Sequence, residues 1–574
     1  MVSGPFLLPY HARPIPSFWT EWWAAALGLA AAIAGLFATQ GRSLNLPRTL
    51  GIFAVLLLAL LFQFLCGRLA FPQIGLLYAV QILWAGLLLL LGRHLAETIG
   101  LARLADVLAA AFAIGAMAGT VVALMQWMGI AEGLPWIFFT PGGPVYANLG
   151  QANHHAHYSW LGIASLFYLR SRGWLSRALF WLLIVVIGFG SVLSGSRSVF
   201  VYPLVILAVL AWARHCEPGG AGAKLLVDAS LLLPAVVALS FVGTWASPRI
   251  PEFIAWLGIT TSGSSSVTSA GRLYAEVAGP SVRMALARTA GLAFAEHPWL
   301  GQGAGNYPWA SFVAASGQSD DEPLVVAEHA HNLVFQLLAE FGAPAAAAVI
   351  LLLVLWARQF LRQPWQPEHA WCAALLGIGA AHSLLEYPLW YSYFLGPTAL
   401  LLGATDDGKA ILLTGRRVNY YLLLVALAGA LVLGNLRADY SKIEVAIYQP
   451  LAAHPDRERA WRITMDRLLK LHHESLLSPW VLTVFTNLAE PSRDLAQERA
   501  DLCERGIHFF PARSLVTRCA MQLAIAGRDA DAQRLVQSAL RAFPAERAAI
   551  SDELEKGASV YPELVPLWQL SVGK

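Results

Sequence analysis

Residues 418–437 read VNYYLLLVALAGALVLGNLR, and residues 438–462 continue as ADYSKIEVAIYQPLAAHPDRERAWR. The first stretch carries no charge before Arg437. A run of about 20 apolar residues is long enough to cross the hydrocarbon core of a bilayer as a helix, the form in which one segment satisfies its own backbone. The second stretch is dense in charge. Composition therefore changes at Arg437, and the change holds for the whole chain. The first 438 of the 574 residues contain 40 charged residues, and the last 136 contain 35. This predicts an all-α polytopic membrane domain over 1–438, with a long outer segment at 246–330, followed by a helical soluble domain over 439–574.

Working outward from 418–437, similar apolar runs lie near 18–39, 48–67, 74–92, 103–128, 155–170, 177–194, 198–213, 224–245, 332–356, 369–385 and 390–405, about twelve in all. The 57% hydrophobic share and only 75 charged residues (39 + 36) leave too little polar surface for a soluble protein of this length. The same figures exclude a disordered chain. A net charge of +3 excludes a nucleic-acid partner. The first residues show no basic segment and no small-residue cleavage site, so no cleaved signal peptide is read.

Short loops rich in Lys and Arg mark the cytoplasmic side. Arg170, Arg172 and Arg177 share one such loop, Arg214 and Lys224 a second, Arg358 and Arg362 a third, and Arg416 and Arg417 a fourth. Alternation then places 129–154, the turn 194–198, the segment 246–330, the turn 386–389 and the tail on the opposite side, with the N-terminus outside as well.

The tail reads as helical hairpins. Ala520, Gly527, Ala532, Val536, Ala539 and Pro544 follow a small-residue spacing that fits a tetratricopeptide-like unit or a plain hairpin. Cys503 and Cys519 are the tail's one cysteine pair, read equally as two buried thiols or a disulfide, and no CxxC occurs.

The outer side collects the unusual polar residues. Ser194-Gly195-Ser196-Arg197-Ser198 is either a tight turn with a snorkelling arginine or an arginine kept there to meet an anion, since positive charge is disfavoured on this side. Residues 280–296, with Arg283 and Arg288, read as an amphipathic helix stopped by His297-Pro298. A glycine-rich loop, Gly301-Gln-Gly-Ala-Gly305, follows. Glu328-His329-Ala330-His331-Asn332 stands at the mouth of an apolar run. No third ligand follows the two histidines at metal spacing. A neutral imidazole is the natural general base near neutral pH. Two polar islands remain, Asn148 to His155, containing Gln151 and Asn153, and His382 to Tyr391, containing Glu386 and Tyr387. Polar groups at membrane depth face a cavity or bond helix to helix.

The motifs NLxQxNH, SGSR, RxxLxxxAxxxFxxHPxxGxGxGNY, HAHNLxxQLLAExG and HSLLEYPLxYxYFL occur in this order over about 145–405. Together they resemble the O-antigen ligase/polymerase superfamily, and within it the PglL-type protein O-oligosaccharyltransferases. Ala287 and Gln302 depart from that pattern, which often has Trp and an aliphatic residue there. The resemblance implies a GT-C-type membrane glycosyltransferase of the bacterial inner membrane with its active site facing the periplasm. The implied donor is a glycan on undecaprenyl pyrophosphate. The implied acceptor is a Ser or Thr hydroxyl on a periplasmic protein such as a pilin. For a ligase it would be lipid A-core, and for a polymerase another lipid-linked glycan.

The residue reading and the resemblance agree on three side chains. His331 is expected to take the acceptor proton, and Arg197 and Arg283 to hold the pyrophosphate in their planar forks. Tyr387, Gln151, Asn153 and Glu386 are expected to position substrate. With two arginines to carry the leaving-group charge, no metal and no other cofactor is predicted, and a single displacement would invert the anomeric centre. A transporter is the competing class, but no paired repeat of halves is visible.

Overall fold

The computed structural model describes residues 1–38, 44–261, 263, 268–269, 282–317, 324–408, 411–413, 416–453 and 456–573. Residues 262, 264–267, 270–281 and 318–323 of the expected outer segment lie outside the described residues, and they include positions 280 and 281 of its amphipathic helix. Among the described residues the chain is helical apart from one short antiparallel ribbon. It pairs Leu44–Leu46 with Ile411–Leu413, Asn45 standing opposite Leu412. All twelve apolar runs are helical. Among the described residues six helices are long and apolar enough to cross a membrane: Pro72–Ile99, Leu101–Met128, Arg197–Cys216, Leu225–Trp256, Leu333–Phe360 and Leu422–Gln449. Leu50–Leu65, Arg177–Val192 and Ser392–Ala404 are apolar but shorter. The protein is a multi-pass membrane protein.

The chain forms two compact units. The first comprises Met1–Phe53, Leu83–Pro280 and Leu351–Ala430. Its core is aromatic and small-residue packing among Leu101–Met128, Ala152–Ser171, Arg177–Val192, Tyr202–Cys216 and Pro367–Ser383. Phe6 stacks on Tyr158 at 3.9 Å between ring centroids, and Trp160 and Tyr202 are fully buried. Lipid tails are as apolar as leucine, so helices in a bilayer associate through close packing rather than hydrophobicity. Gly92 and Gly403 show how. A methyl on Gly92 would overlap the Leu400 carbonyl, and one on Gly403 would overlap the Leu89 carbonyl, so the two helix backbones touch directly. Gly403→Leu is expected to lower stability by about 1–3 kcal/mol through overpacking. Thermal unfolding in detergent checks this, and an unchanged midpoint would contradict the direct contact.

The second unit comprises Ala54–Ile82, Ser281–Ile350 and Leu431–Lys574. Its larger core joins the helix Tyr307–Ser316 to the tail helices Ala496–Phe509, Arg513–Ile525, Asp529–Ala542 and Arg547–Ala558. Ala520, Ala532, Val536 and Ala539 are all at most 1% exposed, because small side chains let these helices approach closely. Gly527 takes a left-handed φ of 75° in the turn between two of them, a conformation costly for a residue with a Cβ. Cys503 and Cys519 are joined as a disulfide between Ala496–Phe509 and Arg513–Ile525, which decides between the two sequence readings.

Candidate functional site

Within the first unit, the turn at 194–200 and the two polar islands lie on neighbouring elements. The turn Arg197–Phe200 packs on the helix Ala152–Ser171, which also packs against Pro367–Ser383. Gly150, at φ 69°, ends the short turn before this helix, and Gln151 follows in extended conformation as its first cap. The island is thereby divided by role. Asn148 is spent on structure: its amide donates to Leu7 O and Trp136 O, both at 2.9 Å, and its oxygen accepts from Phe138 N–H. Asn153, one turn on, donates to Glu386 Oε1 at 2.7 Å across 233 residues of sequence. Glu386 is 6% exposed, and its own N–H donates to His382 O at the end of Pro367–Ser383. Tyr387 follows, half-buried, with its ring 5.8 Å from Tyr391. Gln151 Oε1 is buried and has no hydrogen-bond partner among the described residues.

The serine-rich turn is tied to itself. Ser194 Oγ donates to Ser191 O at 2.6 Å and accepts from Ser196 N–H, while Gly195 takes φ 73°. Arg197 stands half-buried at the start of the turn that follows. Ser196 Oγ beside it is buried without a partner among the described residues. The sequence island around His382 goes deeper than expected: His154 bonds the Tyr393 hydroxyl at 2.9 Å, and the Tyr202 hydroxyl bonds His382 at 2.6 Å.

Within the second unit, the expected amphipathic helix is observed as Val282–Glu296. Arg283 is carried by this helix, half-buried, with no ion pair to any described residue. Below it, Ala290 and Ala293 pack with Ala330, Ala339 and Tyr307, so the helix of Arg283 and the segment of His331 share one small-residue core. Thr289 Oγ1 also accepts from Val325 N–H.

The glycine loop after His297-Pro298 has a definite task. Pro344 has no N–H, so the carbonyl of Glu340 lacks its helical donor. Gly342 breaks the helix at φ 78°, and the Ala343 N–H turns away to Pro298 O, freeing the Ala339 carbonyl as well. The loop supplies what the kink removes. Gln302 N–H donates to Ala339 O at 2.8 Å, and Gly303 N–H donates to Glu340 O at 3.2 Å. Gln63, fully buried, donates to Leu300 O and Glu340 O and accepts from Ala304 N–H. The loop glycines are obligatory here: Gly301 and Gly303 take φ 70° and 98°, and a Cβ on either would overlap backbone. The departure at Gln302 has a local reason, since its amide bonds Ala293 O and Glu296 Oε2, both at 2.8 Å.

His331 stands just before the helix Leu333–Phe360, at φ 49°. It is one of three non-glycine residues with positive φ among the described residues. Histidine tolerates this region better than most side chains, but it is sparsely populated, and such strain gathers at functional sites. Burial pushes neighbouring His329 down to about 3, so His329 stays neutral. Burial, and then Glu340, push the Tyr307 phenol upward, so it remains a proton donor. Among the described residues no three His, Cys, Asp or Glu side chains are grouped to hold a metal.

Two family descriptions match this chain. "O-Antigen ligase" matches residues 178–350, the stretch with Arg197, Arg283 and His331. "Virulence factor membrane-bound polymerase, C-terminal" matches 370–555, the stretch with Glu386, Tyr387 and most of the tail. A "General O-oligosaccharyltransferase" of Acinetobacter baylyi (strain ATCC 33305 / BD413 / ADP1) is 23% identical over 469 residues, covering 80% of this chain and 78% of that protein. Over residues 178–350 the chain is similar to the O-antigen ligases. The protein is an enzyme of glycan transfer.

The structure adds residues that the sequence reading passed over. Gln63, Gln336, Glu340 and Tyr307 are all buried, and each lies in the loop-and-kink assembly next to His331. Gln63 and Glu340 carried a signal, a polar residue inside an apolar run. Tyr307 and Gln336 carried none beyond their place in the quoted motifs.

Proposed function

We propose that the protein transfers a preassembled glycan from undecaprenyl pyrophosphate to a Ser or Thr hydroxyl of a periplasmic protein, such as a pilin. The supporting observation is the likeness to the general O-oligosaccharyltransferase over four-fifths of this chain. The disulfide agrees with it, because such bonds persist in oxidising compartments such as the periplasm.

In this reading His331 takes the proton of the acceptor hydroxyl as its oxygen attacks the anomeric carbon. An alcohol is a poor nucleophile without a placed base. The new carbon–oxygen bond forms as the bond to the pyrophosphate oxygen breaks, and undecaprenyl pyrophosphate leaves. Arg197 and Arg283 carry the charge that grows on it, since guanidinium binds phosphate oxygens in pairs and stays protonated. A single displacement inverts the anomeric centre. Gln151, with its unpartnered oxygen, and Tyr387 are assigned to bonds with the sugar or the acceptor, and the Asn153–Glu386 pair to holding that wall in place.

The test is co-expression with a lipid-linked glycan and candidate acceptors in the inner membrane of a Gram-negative host. A glycan-sized mass shift on a pilin is expected. Glycan on lipid A-core, or longer lipid-linked chains, would instead assign the ligase or polymerase activity that the matched descriptions name. Transfer by the purified protein is expected to change little in EDTA, and strong inhibition would contradict the metal-free mechanism.

A further inference from the structure

We propose that Gln336 is a positioning residue for His331, acting through the peptide units on both sides of it. The proposal rests on His331 being the general base. Gln336 is 1% exposed on the first turns of Leu333–Phe360. Its side-chain Oε1 accepts the Ala330 N–H at 2.7 Å, and its backbone N–H donates to Asn332 O at 2.9 Å. Ala330 and Asn332 flank His331, so one residue brackets the left-handed turn from both ends. Asn332 adds a cap, its Oδ1 accepting the N–H groups of Val334 and Phe335 at 3.0 and 3.2 Å.

The bracket matters because of where it acts. A φ of 49° is a sparsely populated conformation for a residue with a Cβ and persists where surrounding contacts impose it. Ala330 is buried, so its N–H has no water to fall back on if Gln336 is lost. The turn would then relax toward an ordinary conformation, and the imidazole would swing with it. Four residues on, Glu340 Oε1 accepts the Gly305 N–H at 3.1 Å, which ties the same helical face to the glycine loop. The bracket therefore hangs from the rigid kink assembly rather than from a free helix end. Misplacing a catalytic group by about 1 Å costs on the order of a hundredfold in rate.

The experiment compares full-length wild type, Gln336→Met, Gln336→Glu and His331→Ala in glycan transfer, with expression and thermal midpoint measured for each. Met matches the length of Gln without an oxygen, whereas Glu keeps an oxygen at the same reach. Gln336→Met is expected to lower kcat by about tenfold to a hundredfold while donor KM changes less than about threefold. Gln336→Glu is expected to recover most of the lost kcat. A near-normal kcat in Gln336→Met, a loss confined to donor KM, or a loss that Gln336→Glu shares in full overturns the proposal. If Gln336→Met fails to accumulate, Gln336→Asn, whose amide stops one carbon short of Ala330, is read by the same criteria. An inactive His331→Ala beside an unaffected Gln336→Met removes only the positioning role. An active His331→Ala removes the general base itself, and this proposal with it.

Discussion

His331→Ala is expected to reduce glycan transfer by about 10²–10⁴-fold, the usual worth of a placed general base. The backbone allows this effect to be separated from folding. At φ 49° the native histidine already bears the cost of a left-handed conformation, which glycine does not. His331→Gly is therefore expected to be as inactive as His331→Ala, yet more stable than wild type by about 1 kcal/mol, the usual penalty of a Cβ in this region. His331→Asn, which tolerates the same φ without offering a base, should also be inactive. Transfer assays and thermal unfolding of the purified variants check both halves. Near-normal transfer by His331→Ala would end the assignment. A destabilised His331→Gly would show that the turn is not strained.

Arg283→Ala is expected to lower transfer by about 10²–10³-fold, the scale seen when one group is removed from a preorganised charge-stabilising site. The side chain is carried by Val282–Glu296, and no carboxylate among the described residues pairs with it. Folding stability should therefore change little when it is removed, so that a loss of transfer reports on the pyrophosphate its fork would hold. Arg197→Lys is expected to keep the charge and still lose more than about tenfold, since ammonium cannot form the paired hydrogen bonds of the fork. Donor-dependent kinetics of the two variants check these values, and full activity in either one removes that arginine from the pyrophosphate.

The apolar runs, the helical tail and the order of the motifs were all legible in one dimension. Lipid forces each crossing segment to be long, apolar and helical, so those properties are written locally, residue by residue. The candidates for chemistry were also legible as residue types, since an arginine in a serine-rich turn and a histidine before a long apolar run stand out against an apolar background.

The pairing of Asn153 with Glu386 was not legible, because 233 residues separate them and either island alone reads equally as a site or a helix contact. Nor was the task of the glycine loop. GxGxG reads as a turn until the freed carbonyls of Ala339 and Glu340 are seen beside it. Gln63 illustrates the same limit: its neighbours in sequence are apolar, and its three partners lie more than 230 residues away.

By itself, the sequence determined that this is a helical membrane protein with a charged helical tail, and which side chains are candidates for chemistry. Hydropathy and residue type are properties of short stretches, and the bilayer reads them directly. The tertiary structure alone decided that His331 stands in a left-handed turn, that Gln336 brackets it, and that a loop and a buried glutamine mend the helix broken at Gly342 and Pro344. Those features are hydrogen bonds between distant groups, and a backbone angle or an orphaned carbonyl finds its partner only when the chain has folded.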